Sequence, residues 1–405
     1  MAIGRFIRAH LSRLVFLLAV LSLMAAGTYG HSARGEDSGL ELLLPELFPD
    51  AAAFDLLDTR QGVQFIYGAI DDDPQLIGYV TSSQGQGYGG PMTVVMAWSP
   101  QGTVLDVRVT EHFEDLPWYV TLGEQGFFSE YIGREYSQPL ALGDDIDAVS
   151  GATISCIGVS LGVQVGREMV SQQLGDPIPV PREPVDFGAA EWLLLAGIGV
   201  VVTLRSVPLL RRWRWPRFLT LAFSFVVLGV WLAIPLSLTN FAAWLVGYGP
   251  NLQTGLIFYI LVFGVVGLAL LRGKNYYCFW LCPFAAVQEL THFLGGFNLR
   301  PRTSWRRLLA NSRYFLLWAA LFLVLLLNNP TVSVFEPWNA LFSLKGDPLQ
   351  WLLVVLTLVV ATVVYNFWCY YLCPVGATMD IILKTRREVT HLWGRQVKPR
   401  LKRAA

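Results

Sequence analysis

The chain has 405 residues, 54% of them hydrophobic and 15% charged, with a formal net charge of zero. That apolar share exceeds the ~45–50% of soluble domains and excludes an ordinary soluble globular protein. The neutral total hides two environments: acids dominate from His31 to Ala190, where the bases are six arginines, and Arg and Lys dominate beyond Glu191.

The first apolar run, Leu14–Ala26, follows Arg5, Arg8 and Arg13. Its short length suits a signal peptide cleaved near Ala25-Ala26-Gly27 and a retained anchor helix equally, and either sends the next segment outside. Residues 76–111 alternate as strands do: "LIGYVTSSQ", the glycine-rich "GQGYGGP", "MTVVMAW", a turn at "SPQG", and "VLDVRVTEH". After "HFEDLPWY", "FFSEYIGREY" reads as helix or loop.

"DAVSGATIS", Asp147 to Ser155, comes next, followed by Ile157, Leu161, Val165 and Met169 at helical spacing. Ser150–Thr153 therefore sits at or near the N-terminus of an amphipathic helix. An ordinary cap is one use of such hydroxyls. A phosphate site is another, because helix N-termini offer free N–H groups and a positive dipole end, and glycine admits a ligand to the backbone. On local physics alone the cap is favoured. Cys156 has no evident partner and reads as a core residue.

Trp192–Val207, Leu219–Leu238, Leu252–Leu271 and Leu349–Phe367 approach the ~20 apolar residues needed to cross a ~30 Å hydrocarbon core, and Tyr314–Leu327 is shorter. Bases cluster at Arg205–Arg217, at Arg272–Arg313 and from Lys384 onward. The loops Thr239–Asn251 and Asn328–Pro348 carry one base, Lys345. The positive-inside rule then puts both termini in the cytoplasm and the acidic domain outside. Beside spans, "WRWPR" and "RRLL" read as topology signals, with no nucleic-acid partner implied.

The membrane part repeats itself. From Arg217 and again from Arg313 the order is span, outer loop, span, ending in "YYCFWLCPFAAVQEL" and "FWCYYLCPVGATMDI". Cys278/Cys282 and Cys369/Cys373 are thus two C-x-x-x-C-P pairs at the inner face. Spacing of four sets both thiols on one helical face, and Pro after the second suits a break or a new helix start. Four thiolates suit an iron–sulfur cluster or tetrahedral zinc, and a thiol–disulfide pair remains open. None of the histidines sits mid-span, which leaves a b-type haem bundle without axial ligands.

"DAVSGAT", Asp147 to Thr153, resembles the flavinylation motif of FMN-binding domains in sodium-pumping quinone reductases, Rnf complexes and NosR-type proteins. In that motif the last Thr carries FMN through a phosphoester bond. The resemblance makes Thr153 the attachment site, within Asp147, Ser150, Gly151 and Ala152. "GYGGPMTVVMAWSPQGTVLDVRVTEHFED" resembles the first strands of such domains, implying that Gly89, Gly90, His112 and Glu114 border the flavin. The layout over residues 60–385 resembles the NosR/NirI family of membrane flavoproteins.

Two departures stand out. The chain stops without the C-terminal two-cluster ferredoxin domain of full-length members, as in short relatives found beside reductive dehalogenases. The family's H-x-E-T-P stretch also reads "HFEDLP" here, one residue longer.

The expected architecture is an α+β exocytoplasmic FMN-binding domain followed by an all-α polytopic membrane domain of five helices plus an N-terminal signal or anchor helix. Its divisions are 1–30, signal or anchor; 31–186, FMN domain; 187–216, linking helix and basic loop; 217–383, two helix-pair repeats; and 384–405, basic cytoplasmic tail. The resemblance implies a transmembrane electron-transfer flavoprotein of the inner membrane. Its FMN would be installed by a separate flavin transferase, and it would serve a periplasmic respiratory metalloenzyme such as nitrous oxide reductase or a reductive dehalogenase. Cys278, Cys282, Cys369 and Cys373 would hold the inner redox centre. Because a ~30 Å core lies between the two sites, a quinone is expected as intermediate carrier. The rival reading is a redox-sensing regulatory or enzyme-maturation protein of the same pathway.

Overall fold

The computed structural model describes residues 2–33, 40–60, 64–114, 116–179, 187–207, 215–250, 252, 255–297, 299 and 303–401, with side chains at all of these except 2–13, 31–33, 41, 303–305, 307–308 and 392–401. The topology bases Arg211, Arg212, Arg214, Arg300, Arg302, Lys402 and Arg403 lie outside the described residues, as do the side chains of Arg5, Arg8, Arg13, Arg307, Arg395, Lys398 and Arg400. So does the domain boundary placed at 186.

The N-terminal half is built on five antiparallel strands in sequential order: β1 (Ala53–Arg60), β2 (Gln64–Ile70), β3 (Leu76–Gln86), β4 (Pro91–Trp98) and β5 (Val104–Glu111). The sequence pattern predicts the last three. It misses β1 because this edge strand alternates only between exposed and half-buried positions, with no apolar face to read. Helix α2 (Leu40–Leu47) and Phe48 cover one face, where Leu40, Leu44 and Phe48 meet Ala69, Val80, Val95 and Ala97. Helix α4 (Thr153–Gln173) covers the other, against Met92, Val94, Met96 and Trp98. Between β5 and α4 runs α3 (Leu116–Glu124), which begins within "HFEDLPWY".

The stripe predicted for α4 is only partly the buried one. Met169 is buried, but Ile157, Leu161 and Val165 are half-buried, and Cys156, Val159, Val163 and Val170 lie deepest. The helix is covered on a second side, where Gln164 Nε2 donates to Leu140 O (2.7 Å) and Arg167 Nε to Tyr136 O (2.6 Å). Its contact with β3 is close enough to exclude side chains. A Cβ on Gly85 would run into Gly158 O, and one on Gly158 would reach Gly87 Cα at 2.8 Å. Gly158, Gly162 and Gly166 recur every fourth residue, so one helical face lies close on the sheet, against the backbone at Gly87 and the side chains of Val94 and Thr81.

The rest of the chain is mostly helical. The segments, in order, are α5 (Ala189–Ser206), α6 (Trp215–Phe223), a wider π-turn stretch Ser224–Trp231, α7 (Leu238–Val246), α8 (Leu256–Arg272), α9 (Tyr277–Trp280), α10 (Pro283–Gly295), α11 (Thr303–Leu327), α12 (Pro337–Ser343), α13 (Pro348–Ala361), α14 (Phe367–Tyr371) and α15 (Pro374–Leu401). The first helix, α1 (Ala2–Ala33), packs on α11: Trp318 Nε1 donates to Ser22 Oγ at 3.0 Å, and a Cβ on Gly30 would strike Leu325 O.

Five regular spans are not what forms. Among the described residues Ala189–Ser206 and Leu309–Leu327 are long and apolar enough to cross a membrane, and α12 plus α13 joins them if that pair, bent by 97°, counts as one span. The predicted run Leu219–Leu238 unwinds after Trp231, with Ala233 at φ 50°. Leu349–Phe367 breaks after Ala361, with Asn366 at φ 48°. Helix α15 runs through residue 383, where the basic tail was expected to begin. The apolar helices make this a membrane protein.

The glycine face of α4 gives a direct test. Gly162→Val would drive its side chain into Val94, whose Cγ2 is 2.5 Å from the Cβ position. Overpacking of this kind costs about 1–3 kcal/mol, so thermal unfolding of the variant should show a lower Tm.

Candidate functional site

The "DAVSGATIS" stretch folds as a turn that feeds directly into α4. Gly151 adopts φ 84°, and Ala152 is the N-cap, with no side-chain hydrogen bond to the helix. The capping reading of Ser150 and Thr153 therefore fails. Thr153 is the first helical residue and is exposed, as is Ser150, whereas Ser155 is buried. Among the three hydroxyls, Ser155 is withdrawn from any reaction at the surface. The uncapped first turn and left-handed Gly151 form a cradle that suits a phosphate.

Glu114 is the hub beneath that turn. It is 5% exposed, and its carboxylate accepts from Ser155 Oγ and from the backbone N–H of Gly89 (3.0 Å) and Tyr88. It thereby ties the glycine loop to the first turn of α4. The loop must be glycine here: a Cβ on Gly87 would strike Glu114 Oε1, and one on Gly89 would strike Phe113 O. Burial raises the Glu114 carboxyl above its ordinary value, against the opposing pull of these three donors. Gly90 is buried in the same turn and accepts from Gly87 N at 2.9 Å. His112 adjoins the hub: its Nδ1 accepts from Glu114 N (3.4 Å), its ring stacks on Tyr119 at 3.6 Å between centroids, and burial lowers its pKa. Asp147 is exposed, with its N–H donated to Glu130 (2.8 Å), and does not join the cluster.

A residue read from the sequence only as a topology exception also meets the turn. Lys345 Nζ lies over the Trp118 ring, 4.5 Å from its centroid, and 3.5 Å from the Cβ position of Gly151. Lys345 follows α12 in the helical bundle, so a cation from the bundle sits against the motif that precedes Thr153. Among the described residues no carboxylate pairs with it. Phe113 stacks on Tyr248 (5.3 Å), and Gln86 Nε2 donates to Tyr248 O (3.0 Å), two further links across the same junction.

The four repeat cysteines line one cavity of about 150 Å³, together with Tyr277, Arg313, Trp338, Asn366 and Asp380. Each motif is a short helix followed by a proline-started one: Cys282 is the N-cap of α10 and Cys373 directly precedes α15. Among the described residues no group of three His, Cys, Asp or Glu is gathered closely enough to hold a single metal ion; the four thiols instead surround one cavity. A larger cysteine-ligated group fits better. Gly376 N–H donates to Cys373 Sγ (3.2 Å) and Gln288 Nε2 to Cys369 Sγ (3.1 Å). Trp338 Nε1 and Arg313 Nε are buried donors without partners among the described residues. Donors gathered around sulfur are what an iron–sulfur cluster uses to set its potential.

A second cavity, of about 120 Å³, lies between sheet domain and bundle. Gly87, Tyr88, Ile154 and Ile157 line it from one side, and Ala233, Ile234 and Pro235 from the other. Leu236, the next residue, lines the cysteine cavity. Pro235 and Leu236, adjacent in the unwound stretch after Trp231, thus line the two cavities.

Residues 87–167 match the FMN-binding domain family, and residues 254–302 and 348–396 each match a 4Fe-4S binding domain. The chain is similar to regulatory protein NosR of Pseudomonas aeruginosa, 31% identical over 185 residues, covering 41% of this chain and 25% of that protein. It is similar to protein NirI of Paracoccus denitrificans, 31% over 226 residues, covering 48% and 32%. Putative electron transport protein YccM of Escherichia coli is 26% identical over 223 residues, covering 50% and 59%. The chain spans about a quarter to a third of the NosR and NirI relatives' lengths. FMN and an iron–sulfur cluster are the cofactors these domains bring.

Glu114 provides a test that needs no cofactor. A raised carboxyl keeps its proton in the folded state while the unfolded chain ionises from about its ordinary 4.5. Stability is then full below that value and is lost as pH rises toward the folded pKa. Glu114→Gln should remove this slope, so thermal unfolding from pH 4.5 to neutrality should show a smaller fall in Tm than wild type.

Proposed function

We propose that this chain, a NosR/NirI-type flavoprotein by its FMN-binding and 4Fe-4S-binding segments, is a membrane electron-transfer protein. FMN is carried on Thr153 outside, and a cluster on Cys278, Cys282, Cys369 and Cys373 nearer the cytoplasmic side. The observation that carries the reading is the convergence of both C-x-x-x-C-P motifs on one cavity in a chain that also exposes an uncapped Thr153. The flavin supplies redox chemistry beyond any side chain, and the cluster supplies one-electron exchange.

The chain's own residues do the rest. Thr153 Oγ1 offers the oxygen for a phosphoester bond, installed by a separate flavin transferase. The first-turn N–H groups of α4 face the phosphate, and Lys345 adds a positive charge beside the turn. Glu114 holds the glycine loop and Ser155 in register below it. Trp338 and Gln288 offer N–H donors around the thiolates, and the apolar bundle excludes water from them. Ser150, Gly151 and Ala152 shape the turn, and Gly90 and His112 border it.

The working partner proposed is a periplasmic metalloenzyme of denitrification, from the likeness to NosR and NirI. The name "regulatory protein" on NosR favours a second reading, a sensor whose redox state controls expression or maturation. Iron and acid-labile sulfide analysis of the purified chain separates the two best. A stoichiometric, reversibly reducible cluster supports transfer, and substoichiometric iron with a dithiol/disulfide couple supports sensing.

Thr153→Val should abolish covalent flavin in the intact-mass spectrum, and Ser155→Ala should retain it. Lys345→Met should lower flavin occupancy, and Lys345→Arg should restore it, both read by absorbance per chain. Cys282→Ala should lose iron and sulfide while retaining covalent FMN.

A further inference from the structure

The cavity between the sheet domain and the bundle has no role in the reading above, yet its walls suit one occupant. We propose that the dimethylbenzene edge of the ring of the FMN on Thr153 is seated in this cavity, whose size suits about one aromatic ring, against Ala233–Pro235, with one backbone step between it and the cysteine cavity. The inference rests on Thr153 as the attachment point and adds the place of the ring.

Three observations carry it. The first is reach. Thr153 and Ile157 stand four residues apart on one helical face, and Ile154 and Ile157 both line the cavity. A group tethered to Thr153 therefore starts at the cavity's own wall.

The second is chemistry. A flavin ring has an apolar dimethylbenzene end and a polar pyrimidine end. The cavity offers Ile154, Ile157, Phe258 and Leu261 as apolar surface, with Gln86, Thr239 and Asn240 as its polar side chains. Mostly apolar linings with a few placed polar groups are typical of cofactor sites. Asn240 Oδ1 accepts from Ser237 N (2.8 Å), and its Nδ2 has no partner among the described residues.

The third is the floor. Ala233 is held at φ 50°, in the left-handed region that an alanine enters only at a cost, with Ile234 N donating to Leu228 O (3.0 Å). Leu236 N–H donates to Tyr277 Oη (2.7 Å), and Tyr277 precedes Cys278. The strained stretch is thus braced on the cysteine side while Pro235 faces the other cavity. Consecutive Cα atoms are about 3.8 Å apart, so the shared wall is one residue step plus its side chains. A ring in this cavity needs no diffusible carrier to reach the cysteine site.

The test uses the full chain, flavinylated and purified in detergent, with iodide as a soluble quencher of flavin fluorescence. Wild type should be quenched several-fold less than free FMN. Ile157→Trp and Ala243→Trp, which fill the cavity from opposite sides, should keep the covalent FMN mass and show quenching close to free FMN. Wild-type quenching equal to that of free FMN overturns the proposal without any variant. So does unchanged protection in both tryptophan variants with flavin attached. Covalent flavin persisting in Thr153→Val would instead remove the attachment point, a separate failure read by mass alone.

Discussion

A backbone N–H or C=O left without a partner in apolar surroundings costs several kcal/mol, and irregular backbone at membrane depth survives only where protein supplies the partners. The bundle meets that demand at several breaks with a side chain from elsewhere in the chain. Leu236 N is taken by Tyr277, Leu238 N by Glu336 (2.8 Å), and Trp368 N by Gln288 (2.9 Å). Leu281 O accepts from Ser224 (2.5 Å) and Tyr371 O from Ser312 (2.8 Å). These bonds let the chain unwind where the cavities form, and they clamp the cysteine turns at the same time.

The sheet domain reaches its site by another route. There the controlling contact is glycine against glycine, Gly85 and Gly87 on Gly158, which lowers α4 onto β3 until backbones touch. That height sets where the helix begins, and so where Thr153 stands relative to the glycine loop. Glu114 can bridge Gly89 and Ser155 only because those two segments are so near. In one half of the molecule side chains fill gaps in the backbone, and in the other their absence lets backbones meet.

What the sequence made legible follows from how local each signal is. The paired cysteines, β3 to β5 and the start of α4 all depend on spacings of a few residues, and those appear where expected. The 4Fe-4S and FMN-binding segments fall on the same motifs. The break after Trp231 was missed because hydropathy reads Leu219–Leu238 as one apolar run, although Pro235, whose ring clashes with the carbonyl four residues back, marks it in the sequence. Lys345 was counted correctly as a lone base in its loop, but its contact with Trp118 joins residues more than two hundred apart. The glycine period of α4 was present in the sequence; attention to the apolar positions hid it.

Both halves of the repeat match the same domain family, yet neither contains a whole site. Gln288 of the first half holds Trp368 N and Cys369 of the second, while Glu336, from the stretch that opens the second, holds Leu238 N of the first. Duplication of a short cysteine hairpin can double a ligand count, but reciprocal bracing of this kind makes each copy the scaffold of the other. The two have become one folding unit that cannot be pared back to a single ancestral copy. Drift in either half is constrained by the geometry of its twin.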